Sequence, residues 1–403
     1  MKELLLIALL TPVRLLGEGY QSYQGPLGVP LAIYGPPGIG KTDQVEQVAH
    51  SLGMLYHAFP IESCETEDLN GVVVRTESGG LERLSDNKEF LNMIEAGEGV
   101  LSLDELNSNR GLAASINRVI HERIWCRRQL PRGIRILSTL NPTYLSAGGR
   151  ALPASQANRL CHIDAPAHST GEWLSYMSHV PSRKATLSQE DFRKKLATSF
   201  DANRASILAA LTGFFRATST KPQNTPEEGS PHLSRSWPSE RTWHMSINML
   251  ATALALGHAV DVATPLLEGL IGEDTAKVFM TYYRNLDLPS LEEVLAGRWT
   301  PRAHRLDVTY VVLSSVLTHL RSPAFTRGIP YEDKLEQLSS LLTLADNIAS
   351  ADAKDMVVEL VRTMSPYLPV SKLSSGTALE KELTTRLLRL TSGWDPKLYK
   401  AGA

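Results

Sequence analysis

Apolar residues between positions 29 and 165 recur in short runs of strand length, separated by stretches with helical spacing. The helical stretch 43–52, for example, places Val45, Val48 and Leu52 on one face. The predicted strands are 29–34, 54–59, 99–103, 134–140 and 160–163. Strands that alternate with helices are typical of a parallel sheet covered by helices. We therefore predict an α/β fold for this part of the chain.

Smaller elements are predicted between these strands. Residues 72–75 and 81–84 alternate apolar and charged side chains around Ser78-Gly79-Gly80, which indicates a β-hairpin. Helices are predicted at 90–95 and 112–124, the second with Ile116, Val119, Ile120 and Ile124 on one face. The hairpin either contacts a partner or is a plain surface feature, and the pattern favours neither.

Helical spacing dominates after residue 170. Predicted helices are 243–258, 308–320, 331–348 and 354–364, and leucines such as Leu335, Leu338, Leu341 and Leu342 are expected in a core. Residues 217–236 are rich in Pro, Thr, Ser and Lys, which predicts a long mobile loop. The expected organisation is an α/β subdomain (1–165), a helical subdomain (166–300) and a helical extension (301–403).

Composition narrows the class of protein. The 403 residues include 41 basic and 43 acidic side chains, and this net charge of −2 favours neither nucleic acid nor an acidic membrane as a general partner. Three widely spaced cysteines without a C-x-x-C pair indicate a reducing compartment rather than a disulfide frame or a zinc site. The apolar run 4–10 is too short to span a bilayer, so a packing helix and a cytoplasmic location are predicted.

The glycine-rich segment after the first strand fits the phosphate-binding loop pattern G-x-x-x-x-G-K-[ST]. Its residues are Gly35, Pro36, Pro37, Gly38, Ile39, Gly40, Lys41 and Thr42. In such a loop the backbone N–H groups surround the phosphates, the lysine reaches the β- and γ-phosphates, and the threonine hydroxyl binds Mg²⁺. A strand before the segment and a helix after it are the context that this motif requires. Binding of a nucleoside triphosphate is therefore predicted.

Two further strand ends hold residues suited to hydrolysis. Strand 99–103 is followed by Asp104, which would complete the Mg²⁺ shell with Thr42, and by Glu105, which would activate the attacking water. An acidic surface turn is the alternative. Strand 134–140 is followed by Asn141, whose amide would contact the γ-phosphate or the water, or else would only begin an Asn-Pro turn.

These motifs resemble those of AAA+ ATPases, in particular the MoxR-like, dynein-related branch, over residues 25–300. Asp68-Leu69-Asn70-Gly71 resembles the D-L-x-G segment, Asp104-Glu105-Leu106-Asn107 the acid box, and Thr139-Leu140-Asn141-Pro142 the sensor-1 strand end. Leu152 to Arg159 resembles L-P-x-A-x-x-[DN]-R, and Pro238 to Trp243 the start of the sensor-2 helix. The chain departs from the pattern at Glu240, where proline is usual, and at Leu160, where an aromatic residue is usual.

The resemblance implies roles for two arginines. Arg159 would act as the finger that completes a neighbouring subunit's site, and Arg241 would couple the nucleotide to the lid position. A guanidinium group keeps its charge and presents a planar set of donors, which suits a transferring phosphoryl group. Arg118, Arg123 and Arg150 remain alternatives for the finger.

The resemblance also implies a ring, commonly a hexamer, that uses Mg²⁺ and ATP to remodel or activate a protein partner. That partner is expected to contain a von Willebrand A domain. The alternative function is a motor or nucleotide-gated subunit of a nucleic-acid-targeting restriction or defence complex. A small-molecule kinase is disfavoured, because the acid pair, Asn141 and a helical lid suit water as the nucleophile.

Overall fold

The computed structural model describes residues 1–13, 28–84, 87–126, 128–145, 150–178, 185–286, 288–302, 305–321, 323–350, 354–369 and 371–392. The chain divides into two compact units. The first comprises Met1–Phe200 and Thr220–Val278, and the second comprises Asp201–Ser219 and Phe279–Ala403. The three-part organisation expected from the sequence stays a prediction, and the two units are described separately below.

A five-stranded parallel sheet forms the centre of the first unit. Its strands are β1 (Leu31–Tyr34), β2 (Leu55–Pro60), β5 (Glu98–Asp104), β8 (Gly133–Leu140) and β9 (Cys161–Asp164), in the spatial order β2-β5-β8-β1-β9. Two antiparallel hairpins lie outside it: β3 (Val72–Arg75) with β4 (Leu81–Leu84), and β6 (Ile124–Trp125) with β7 (Arg128–Gln129). The predicted strands and the predicted 72–84 hairpin are confirmed.

The helices of the first unit cover this sheet. They are α1 (Lys2–Leu10), α2 (Lys41–Ser51), α3 (Thr66–Asn70), α4 (Lys88–Ala96), α5 (Ala113–Asn117), α6 (Ala154–Ala157), α7 (Thr170–Ser178), α9 (Glu240–Leu256) and α10 (Thr264–Ile271). Helices α8 (Gln189–Ala217) and α11 (Glu273–Arg284) have residues in both units. Because both faces are covered, the central strands β5 and β8 are buried along nearly their whole length.

One predicted helix is shorter than the sequence pattern suggested. The stretch expected at 112–124 is helical over α5, continues as a π-helical turn at Arg118–Glu122, and then stops. Arg123 adopts φ +56°, a left-handed conformation that breaks the helix. Ile124, expected on the helical face, therefore belongs to the β6–β7 hairpin.

The second unit is helical. It contains α12 (Leu291–Leu295), α13 (Leu306–Arg321), α14 (Pro323–Arg327), α15 (Tyr331–Ser350), α16 (Lys354–Met364), α17 (Lys372–Ser375) and α18 (Ala378–Leu390). The predicted leucines Leu335, Leu338, Leu341 and Leu342 are buried in its core. Among all the described helices of the chain, none combines the length and apolar character needed to cross a membrane.

Arg135 is an unusual core residue, because it is a charged side chain inside the central strand β8. It is only 1% exposed. Its Nε donates to the Leu9 carbonyl at 3.2 Å, and a terminal nitrogen donates to the Glu98 carboxylate at 2.9 Å. The guanidinium thereby links the end of α1 to the start of β5. A buried charge of this kind is stable only while these acceptors remain in place.

Arg135→Met is expected to lower the free energy of unfolding by about 3 kcal/mol, because the buried Leu9 carbonyl and the partly buried Glu98 carboxylate lose a charged donor. Urea unfolding followed by circular dichroism measures the change. Arg193→Met is the matched control, since Arg193 also pairs with Glu98, at 3.3 Å, but its side chain is 48% exposed. That variant is expected to change stability by less than about 1 kcal/mol. Equal losses in the two variants would contradict the assignment.

Candidate functional site

The order of the parallel strands brings the predicted site residues to one edge of the sheet. Strand β8 lies between β1 and β5, so the carboxyl ends of these three strands are neighbours. The segment 35–42 follows β1, Asp104 and Glu105 lie at the end of β5, and Asn141 follows β8. Residues that are far apart in sequence therefore meet at this edge.

The segment after β1 has the backbone conformation of a loop that begins a helix. Gly38 and Gly40 adopt φ values of +82° and +75°, which side chains with a Cβ rarely tolerate. Helix α2 starts at Lys41, immediately after Gly40. Its unpaired N–H groups therefore face the loop, where they favour an anion.

The Lys41 ammonium group is fully hydrogen-bonded. Its Nζ donates to the carbonyls of Gly35 at 2.8 Å and Pro36 at 3.0 Å, and to the Asn141 amide oxygen at 3.0 Å. These three acceptors match the three donors of an ammonium group. Partial burial lowers the pKa of Lys41, while the nearby carboxylates of Glu105 and Asp104 act in the opposite direction.

The Asp104 carboxylate is held by three hydroxyl groups. Thr42 Oγ1 donates to one oxygen at 3.2 Å, while Ser102 Oγ at 2.6 Å and Thr139 Oγ1 at 3.2 Å donate to the other. The contact with Thr42 joins the loop to the end of β5. Ser102 and Thr139 were not among the predicted site residues. Their signal in the sequence is the presence of hydroxyl side chains inside two otherwise apolar strands.

Glu105 is positioned by its backbone and by Asn141. Its φ of +55° places it in the left-handed region, an uncommon conformation for a residue with a long side chain. The Asn141 amide nitrogen donates to the Glu105 carboxylate at 2.9 Å. Because the amide oxygen of Asn141 accepts from Lys41, one asparagine bridges the lysine and the glutamate. Both contacts require the same assignment of the oxygen and nitrogen atoms in the Asn141 amide, because the lysine must meet the oxygen and the carboxylate must meet the nitrogen.

Arg159 and Arg241 form a second group, and no hydrogen bond links this pair to the loop within the described part of the chain. Arg241 donates to the Asn158 amide oxygen at 3.4 Å, and Arg159 donates to the Ser155 carbonyl. The pKa of Arg241 is lowered by partial burial and then by the Arg159 charge. Burial and both arginine charges also lower the pKa of His121. The group is therefore a concentration of positive charge.

The start of α9 positions Arg241. Ser239 is the N-cap residue and forms a capping box with Thr242, and its hydroxyl also donates to Asn158 at 2.8 Å. Glu240, the departure from the family pattern, is the first residue of α9, where a negative charge is favourable.

The three arginines that the sequence left as alternatives for the finger differ in their surroundings. Arg123 is buried and donates to the carbonyls of Pro131 and Ile134, and burial lowers its pKa to about 10. Arg123 therefore has a structural role within its own chain, which makes it a poor candidate for the finger. Arg118 pairs with Glu122 at the surface. Arg150 is exposed beside a cavity of about 330 Å³ that Asn107 also lines.

A polar cluster next to the loop was not among the predicted site residues. Tyr34, the last residue of β1, stacks on His162, and the Arg235 guanidinium lies 4.0 Å from the centre of the tyrosine ring. Arg235 also pairs with Asp164 at 2.6 Å. Burial lowers the pKa of His162 to about 4, so this histidine is neutral at physiological pH. Arg235 belongs to the segment predicted as a loop at 217–236, whose mobility stays a prediction.

Comparison with known proteins leaves the family open. No family model and no curated protein match the chain. Among solved structures, a candidate ATPase from Cytophaga hutchinsonii is similar over 63% of this chain and 84% of its own, with 16% sequence identity and a TM-score of 0.42. Proteins this distant can differ in activity. The function is therefore inferred from the residues of the site.

Proposed function

We propose that this protein is a Mg²⁺-dependent ATPase of the MoxR-like AAA+ type that works as a ring. The observation that supports this proposal most strongly is the hydrogen-bonded series Lys41–Asn141–Glu105, next to the Thr42–Asp104 contact. This series consists of an ammonium group, an amide and a carboxylate in contact at one sheet edge. These are the groups that hydrolysis of a nucleoside triphosphate requires.

In the proposed reaction Glu105 accepts a proton from the water that attacks the γ-phosphorus. The bond between the γ-phosphorus and the bridging oxygen then breaks, which yields ADP and phosphate. Asn141 holds the Glu105 carboxylate in place at 2.9 Å and has an amide able to contact the water or the γ-phosphate. Lys41 stabilises negative charge on the phosphates once it leaves its present acceptors.

The residues present suit a bound Mg²⁺. Thr42 Oγ1 and Asp104 Oδ2 lie 3.2 Å apart, and both are the hard oxygen donors that Mg²⁺ prefers. Mg²⁺ usually takes only one or two protein ligands and completes its shell with water and phosphate oxygens. Bound there, it would neutralise charge that develops on the phosphate oxygens.

The two arginines support assembly into a ring. Arg159 and Arg241 are neighbours of like charge. A phosphate group from another subunit would relieve the repulsion between the two guanidinium groups. We infer that both arginines act on the nucleotide of a neighbouring copy. This extends the role predicted for Arg159 to Arg241.

A protein partner remains part of the proposal, and by resemblance it contains a von Willebrand A domain. The β3–β4 hairpin is a candidate contact, because Val72, Val73 and Leu81 are exposed on it. Exposed apolar side chains on a projecting hairpin are a common feature of surfaces that bind other proteins.

Lys41→Ala tests the proposed nucleotide site. The variant is expected to bind ATP roughly a hundredfold more weakly, because one charge-assisted contact to the phosphates is worth up to about 3 kcal/mol. Titration calorimetry with ATP and Mg²⁺ measures the affinity, and phosphate release measures turnover. Lys194→Ala is the matched control, since Lys194 is an exposed lysine on α8. If Lys41→Ala bound ATP as tightly as the control, the proposal would be wrong.

A further inference from the structure

A small cavity in the second unit has an unusual set of lining residues. Its volume is about 240 Å³, and it lies at the connection between α12 and α13. The lining residues are Leu288, Pro289, Glu293, Arg298, Trp299, Arg302, Arg305 and Val308. Three arginines and a tryptophan thus surround one cavity, in a chain whose net charge is only −2.

Basic residues outnumber acidic ones in the lining of this cavity. Glu293 is the one acidic residue in the lining, and its carboxylate is already used to cap α12, where it accepts from the Ser290 backbone N–H at 2.9 Å and hydroxyl at 3.0 Å. Among the side chains that the structure describes, Arg298 and Arg302 have no carboxylate within salt-bridge distance, and both are exposed. An anionic group would find guanidinium donors available here.

The beginning of α13 adds to this preference. Arg305 directly precedes the helix, and Val308 in its first turn also lines the cavity. The first N–H groups of a helix lack intrahelical partners and favour anions, particularly phosphate. The start of the helix adds to the attraction that the arginines exert on an anion, and it is not a binding site on its own.

Trp299 supplies an aromatic surface. It is partly buried, because it packs against the helical core of the second unit while it also lines the cavity. Guanidinium groups next to a partly exposed indole are the combination on which single-stranded nucleic acids bind, since phosphates pair with arginine and a base stacks on the ring.

We propose that this Arg–Trp cavity binds one nucleotide of a single-stranded nucleic acid. A free nucleotide is less suitable, because small-molecule sites usually enclose most of their ligand and have volumes of roughly 300 Å³ or more. This cavity is smaller, and Arg298 and Arg302 in its lining are exposed, so they are accessible to the phosphates of a longer strand. The site is separate from Lys41 and does not depend on the proposed ATPase activity.

Fluorescence anisotropy of a labelled oligothymidylate of about 12 nucleotides tests the proposal. Trp299→Ala is expected to weaken binding roughly 5- to 150-fold, the effect of losing one stacked base. For single strands each phosphate contact contributes about −0.7 to the slope of log K against log salt. Arg298 and Arg302 therefore predict a slope of about −1.4, and Arg298→Ala should reduce its magnitude by about 0.7.

Three controls make the result decisive. Arg389→Ala removes an exposed arginine from α18 and should leave binding unchanged. Lys41→Ala should also bind the strand normally, which distinguishes this cavity from the proposed ATP site. Trp299→Phe should lose less affinity than Trp299→Ala, because a ring remains for stacking. Any one of three results would overturn the proposal. The first is binding that does not depend on salt, or no binding at all, and the second is unchanged binding in both Trp299→Ala and Arg298→Ala. The third is full displacement of the strand by an equal concentration of thymidine monophosphate.

Discussion

Glu105→Gln is expected to reduce ATP turnover roughly 10²- to 10⁴-fold while ATP binding is preserved. Glutamine keeps the shape of the side chain and still has an oxygen that accepts from Asn141, a contact of 2.9 Å in the native protein. It has no carboxylate to take the proton from water. The substitution therefore removes the chemistry of the base and leaves the hydrogen-bond geometry nearly unchanged.

Single-turnover phosphate release, with ATP binding measured in parallel, separates these two effects. Glu122→Gln is a suitable control, because Glu122 is a surface residue that pairs with Arg118. Loss of turnover without loss of binding would support Glu105 as the base. Unchanged turnover would show that the water is activated elsewhere. If biological activity also remained unchanged, hydrolysis would not be the function of the protein.

Arg159→Ala is expected to reduce turnover roughly 10³- to 10⁵-fold while binding of ATP remains, as for other arginine fingers. The position of Arg159 supports action on another copy, since its hydrogen bonds do not reach the loop of its own chain within the described residues. Mixing Arg159→Ala with Lys41→Ala should then restore activity. In a random one-to-one mixture about a quarter of the interfaces combine an intact loop with an intact arginine.

The same mixing experiment tests the inference about Arg241. If Arg241 acts across the interface, as its position beside Arg159 suggests, Arg241→Ala should also regain turnover when mixed with Lys41→Ala. If it acts on the nucleotide of its own chain, this second mixture should stay inactive. Mixtures must first be shown to assemble by sedimentation. Assembled rings of Arg159→Ala and Lys41→Ala that remain inactive would contradict the finger assignment.

The sheet was largely predictable because its strands are buried on both faces and so appear as apolar runs in the sequence. The polar residues after those runs located the site, since parallel strands end at a common edge. Local spacing did not reveal that Asn141 would bridge Lys41 and Glu105, because this depends on β8 lying between β1 and β5.

Other features depended on contacts that no local pattern records. The predicted helix at 112–124 ended early because Arg123, an ordinary residue for a helix, adopts a left-handed conformation and donates to the carbonyls of Pro131 and Ile134, beyond the end of the helix. Arg135 appeared as a polar interruption in a strand, and its partners on α1 and β5 were not predictable from its neighbours. Arg298, Trp299, Arg302 and Arg305 were visible in the sequence, but their shared cavity was not.

The position of Asn141 between Lys41 and Glu105 has a consequence for communication across the site. Its amide oxygen accepts from Lys41 and its amide nitrogen donates to Glu105, so both contacts depend on the orientation of one planar group. A rotation of the Asn141 side chain changes both contacts at once. In the proposed ATPase, a shift of the lysine toward a phosphate would therefore be transmitted to the carboxylate through a single side chain.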